Sequence, residues 1–139
     1  LSDISEKKAI STLGELEIFI GSEYAVLISK TYDGYRSKGY SRFESARLTW
    51  KKIMEDFFEE EYENLKYEEE QEFNTIKKHF FELSYGMAGI DPKTKIAEQR
   101  YEKFRKSYKP YDALKKTYLS FTDMGFQYVL KGGSYLEKT

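Results

Sequence analysis

The chain has 139 residues, 40% of them hydrophobic and 34% charged, a net charge of −1 and no cysteine. That length suits one domain with a modest core, the apolar share excludes a disordered chain, and the charged share excludes a membrane protein. Without cysteine there is no disulfide, thiolate metal site or cysteine nucleophile, and the near-zero net charge exerts no global pull toward nucleic acid or anionic membrane.

No stretch reaches the roughly 20 apolar residues that span a bilayer. The compartment stays open, with cytoplasm as the default. The start at Leu1 rather than Met leaves room for a fragment, a processed form or a removed leader.

Residues 5–32 admit a helix or a hairpin, because Leu16–Ile20 alternates and Gly21-Ser22 suits a turn. Helix is the better reading. Ala9, Leu13, Leu16, Ile20, Tyr24 and Leu27 recur in steps of three and four, which stack on one helical face. Gly14, Ile18, Gly21 and Ala25 form an adjacent strip that either admits a close neighbouring helix or merely weakens a surface one. Thr31 to Tyr40, with Gly34 and Gly39, is expected to be a loop carrying Arg36 and Lys38 among tyrosines.

Ser41-Arg42-Phe43-Glu44 is a capping box and starts the stretch around which the layout turns. Phe43, Ala46, Trp50, Ile53 and Phe57 make one apolar stripe, and Phe73, Ile76, Phe80 and Leu83 make another. Phe43 and Phe73 are thirty positions apart, so the second stripe is rotated by about 120° and faces other neighbours. No glycine or proline interrupts the run between them. One unbroken helix from Ser41 to Gly86 would be about 65 Å long, so the chain either projects or bends near Leu65. Gly86 and Gly89 are candidate stops.

Asp91-Pro92 marks the next helical start, with Ala97, Tyr101, Phe104, Tyr108 and Tyr111 as its buried stripe. Pro110 forces a kink or break and pushes Lys109 out of helical angles. A fourth piece, Tyr111 to Leu130, carries Leu114, Tyr118, Phe121, Gly125 and Tyr128 and ends at Gly132-Gly133. The fold expected is all-α: one domain over 1–139, an antiparallel bundle of about four helical segments with a long central helix, and a flexible tail at 133–139.

Enzyme signatures are lacking: there is no Gly-x-Gly-x-x-Gly, no phosphate-loop Gly-Lys-Ser/Thr, no Gly-x-Ser-x-Gly and no His-Glu-x-x-His. The single histidine, His79, shares a helical face with Glu72 and Glu82, but di-iron bundles need two Glu-x-x-His units and this chain has none. No catalytic residue, cofactor or metal is expected. Charge is the non-generic feature. From Glu55 to Glu72 ten acidic residues face one lysine, and from Lys93 to Lys116 nine basic residues face three acidic ones.

The expectation is therefore a non-catalytic helical protein-interaction module that binds a protein partner or self-associates through the acidic stretch. Glu60, Glu61, Tyr62, Leu65, Tyr67, Glu68 and Glu69 are its contact residues, apolar anchors inside a charged rim. The alternative is nucleic-acid binding through Arg100, Lys103, Lys106, Lys109, Lys115 and Lys116 with Arg36 and Lys38, where tyrosines stack on bases while cations neutralise phosphates. Against both stands internal pairing, in which the basic helices neutralise the acidic one and leave little residual field; a third reading is a small-molecule or metal site inside the bundle.

Overall fold

The computed structural model describes residues 3–63 and 70–136. Every regular element among the described residues is helical. In order they are α1 (Asp3–Ile20), α2 (Ala25–Ser37), α3 (Arg42–Tyr62), α4 (Glu70–Ala88), α5 (Ile96–Arg105), α6 (Pro110–Ser120) and α7 (Thr122–Leu130), with 3-10 turns at Ser22–Tyr24 and Pro92–Thr94. None of these helices is long and apolar enough to cross a membrane.

The first segment is helical, but Gly21 (φ 117) divides it into α1 and α2. The tighter 3-10 turn that follows shifts the phase of the stripe, so Ile28 is buried and Leu27 is exposed. On the strip beside it, no described neighbour closes on Gly14, where a Cβ would meet nothing within 4 Å. Nor is 31–40 chiefly a loop. Helix α2 runs on to Ser37, since one internal glycine costs only about 1 kcal/mol, and it ends at Gly39 (φ 95) with the Tyr40 amide donating to the Tyr35 carbonyl at 3.3 Å.

Ser41 Oγ accepts from the Glu44 amide at 3.1 Å, while the Glu44 carboxylate is bound by Arg47 instead of reaching back. The box is therefore half made, and it still starts α3. The acidic stretch is not one straight helix. Phe58 and Phe80 have ring centroids 5.0 Å apart, where a continuous helix would separate them by about 33 Å. Thus α4 runs back along α3, and its own stop is Gly89 (φ 65), with Gly86 lying inside the helix.

Asp91 caps the 3-10 turn rather than α5, accepting from the Lys93 amide at 2.9 Å, and Lys95 (φ 58) leads into the helix proper. Pro110 breaks the chain as expected and opens α6 at its first turn, with Lys109 extended at ψ 160. A further break at Phe121 separates α6 from α7.

Contacts give the directions. Glu6 meets Arg42 at 3.7 Å and Tyr24 meets Glu60 at 2.8 Å, so α1 is parallel to α3. Lys115 meets Glu59, Tyr118 meets Met54 and Asp123 meets Arg47, so α6 and α7 descend antiparallel to α3. Helix α4 packs on α7, α6 and α5, while α5 also packs directly on α6, so α4 buries two faces. Phe80 turns to Tyr118 (5.7 Å) and Phe81 to Tyr101 (5.7 Å).

The core is aromatic. Phe58 touches the rings of Phe80, Tyr118, Tyr111 and Tyr62, and Trp50 packs edge-on to Phe126 at 5.9 Å. Such rings bury roughly 150–250 Å² each and dominate a core of this size. Buried hydroxyls are satisfied locally: Thr12, Thr49, Ser84, Thr117 and Thr122 each donate to a carbonyl three or four residues back, at 2.6 to 2.9 Å. They have no spare chemistry to offer. The segment after α7 was expected to be loose, yet Tyr135 is buried and hydrogen-bonded to Met87.

Candidate functional site

The acidic and basic runs meet at one end of the molecule. The last turns of α3 stand beside the start of α6, with Phe58 5.8 Å from Tyr111 and Lys115 Nζ donating to Glu59 Oε1 at 2.5 Å. That bond holds the Lys115 ammonium above its ordinary pKa. Internal pairing is thus real, but within the described residues it amounts to this one bridge between α3 and α6.

The acidic side is anchored from within. Glu60 accepts from the buried Tyr24 hydroxyl at 2.8 Å, and burial together with this carboxylate raises the Tyr24 phenol well above its usual range. Glu61 is exposed. Tyr62 is half-buried, its ring 3.9 Å from Phe80 and 5.8 Å from Phe58, and burial raises its phenol as well. Its ring is therefore packed against this chain's own Phe80 and Phe58 while staying partly exposed. Leu65, Tyr67, Glu68 and Glu69 lie outside the described residues.

The basic side is depleted more heavily. Arg100 points inward, donating to Ser120 Oγ at 3.1 Å and stacking 4.6 Å from the Phe121 ring, so it joins α5 to α6 rather than facing a phosphate. Lys115 is spent on Glu59. Arg36 donates to the Tyr40 carbonyl at 2.6 Å, far along the chain from the basic helices, and Lys38 lies 5.6 Å over Tyr35. Lys116 sits 4.5 Å over the Tyr108 ring. Lys103, Lys106 and Lys109 are exposed and form no ion pair with a described carboxylate. Of the tyrosines proposed to stack on bases, Tyr101 and Tyr118 are buried and Tyr111 is half-buried. Tyr108, placed on the core stripe by its spacing, is instead 42% exposed, because α5 stops at Arg105 before the helical phase reaches it.

His79 is exposed, and the described residues include no group of three or more His, Asp or Glu side chains that could hold a metal ion.

Some features escaped sequence reasoning. The Tyr85 hydroxyl donates to the Glu98 carboxylate and accepts from the Ala97 amide at 3.0 Å, a polar joint between α4 and α5. Their thirteen-residue separation gave no signal. Ile10 and Ile18 on α1 and Val26 on α2 are exposed apolar residues. Ile18 belongs to the strip already noted beside the core stripe, and continuing that strip back through Gly14 by four residues reaches Ile10.

Compared with known proteins, the chain matches no family model, no curated protein and no solved structure.

Proposed function

We propose that the protein is a non-catalytic helical module that binds a protein partner, or a second copy of itself, through the acidic end of α3. The observation that carries this reading is the disposition of that end. Glu59, Glu60 and Glu61 are exposed around the half-buried Tyr62, and the rings of Phe57, Phe58 and Phe80 brace the backbone behind them. A rigid carboxylate rim around an aromatic edge suits a basic segment, for which charge complementarity sets on-rate and selectivity. In this reading α3 is the central column of the bundle, and the helices packed around it hold its acidic end in place.

The test is capture by immobilised protein with Glu60→Lys and Glu61→Lys introduced together. Loss of the captured partner, or of self-association, with unchanged circular dichroism supports the assignment. Retention of both at wild-type strength removes it.

A second reading, nucleic-acid binding, rests on Lys103, Lys106 and Lys109 beside the exposed ring of Tyr108. Three phosphate contacts on a single strand give a slope of log affinity on log salt of about −2. Binding that ignores ionic strength removes this reading.

A further inference from the structure

The residues after α7 make a contact that the charged end does not explain. Gly132 (φ 109) and Gly133 turn the chain off the helix, and the next residues lie against α1. Tyr135 is 2% exposed, with its ring 4.8 Å from Phe19, 6.0 Å from Tyr128 and 6.4 Å from Trp50. Its hydroxyl donates to the Met87 carbonyl at 2.7 Å, one of the helix-end acceptors that α4 leaves without an internal donor. Glu15 grips the same segment from α1: Oε2 accepts from the Tyr135 amide at 2.8 Å and Oε1 from the Ser134 hydroxyl at 2.9 Å. One residue later the burial ends, since Leu136 is 61% exposed.

The surroundings of Tyr135 have the parts of a peptide-recognition site. The walls are aromatic, Met87 supplies an acceptor at the bottom, and a carboxylate at the mouth reads a backbone N–H and a hydroxyl. Trp50 Nε1 is buried with no partner among the described residues, and the edge of its indole converges with the Met87 carbonyl at Gly125, where a Cβ would lie 3.4 Å from Trp50 Cζ2 and 3.3 Å from Met87 O.

We propose that this is a docking pocket for a Ser-Tyr segment, that residues 134–136 are its ligand bound in cis, and that the same segment of a second copy takes their place in trans. These contacts do not depend on the covalent link through the two glycines, so a swapped segment reproduces all of them. A short connection holds the cis segment at an effective concentration in the millimolar range. The closed monomer therefore prevails in dilute solution, and exchange emerges when the cis route is shut. The pocket uses none of the residues at the acidic end of α3, so it stands or falls independently of that surface.

Deleting Gly132 and Gly133 removes about 7 Å of reach and keeps Tyr135 from its own pocket. In sedimentation, the deletion variant is expected to run as a dimer at concentrations where the wild-type chain is closed. Adding Tyr135→Ala to it should return it to monomer, and adding Glu15→Ala should weaken the dimer at least about tenfold, the effect of losing both of its hydrogen bonds. A folded deletion variant that stays monomeric, or a dimer that survives Tyr135→Ala, overturns the proposal. Should the deletion variant fail to fold, the full chain with Tyr135→Ala is titrated with a Gly-Gly-Ser-Tyr-Leu peptide capped at both ends while Trp50 emission is followed. Saturable change with this peptide and none with alanine in place of its tyrosine supports the pocket, and no difference between the two peptides overturns it.

Discussion

The hydroxyl of Tyr24 donates to Glu60 Oε2 across 2.8 Å and ties the turn between α1 and α2 to the acidic end of α3. Because Glu60 is exposed and keeps its water when the bond is lost, Tyr24→Phe should cost about 1 kcal/mol or less. Tyr24→Ala also removes the ring that packs 5.9 Å from Phe57 and should cost about 3–5 kcal/mol. Urea unfolding of the two variants checks the split. Equal losses would mean that the hydrogen bond, not the ring, fastens the turn.

Alkaline pH should unfold the protein through its buried phenols. Burial raises Tyr24, Tyr118 and Tyr135 well above the ordinary value of 10.0. The folded state therefore favours the neutral phenol, and each contribution is complete below the unfolded pKa and declines as pH rises past it. The urea midpoint should change little on account of these groups between about pH 7 and 9, then fall steeply above about pH 10. Tyrosinate absorbance should appear together with loss of helix. Ionisation of all thirteen tyrosines with the helix signal intact would show that these phenols are not buried.

Two glycines should respond to alanine with opposite signs. At Gly125 a Cβ would lie 2.7 Å from Met87 Cγ and 3.3 Å from the Met87 carbonyl, where α7 crosses α4. Gly125→Ala should therefore cost about 1–3 kcal/mol by overpacking. At Gly14, inside α1, a Cβ meets nothing within 4 Å, so Gly14→Ala should stabilise by about 0.5–1 kcal/mol through the unfolded chain. Thermal melts of the pair provide the measurement.

Local chemistry was legible in the sequence where one residue decides the backbone. The Ser41 cap, the Pro110 break and the glycine stop after α7 are of this kind. The helical period likewise picked out Trp50, Ile53, Phe80 and Tyr118 as core. What stayed hidden depends on tertiary placement. Nothing local announces that Phe80 returns to Phe58, that Arg100 turns inward to Ser120, or that Glu15 finds a partner 119 residues away in Ser134. Charge runs were visible, but how the charge is used was not. Whether Lys115 faces a phosphate or Glu59 depends on helix packing, and composition carries no information about that.

Tyr62 and Glu61 are neighbours with different burdens, and together they separate packing from recognition at the acidic end. Tyr62 is half-buried against Phe80 and Phe58, so Tyr62→Ala should cost about 1–3 kcal/mol and weaken any partner contact at the same time. Glu61 is exposed, so Glu61→Lys should shift stability by no more than about 0.5 kcal/mol while reversing the local charge. Capture of a partner, measured alongside the melting temperature, discriminates between the two roles. Binding lost in Glu61→Lys at an unchanged melting temperature assigns recognition to the carboxylate rim. Binding lost only in Tyr62→Ala, with a lowered melting temperature, traces the effect to the aromatic base beneath it and removes the rim from the contact.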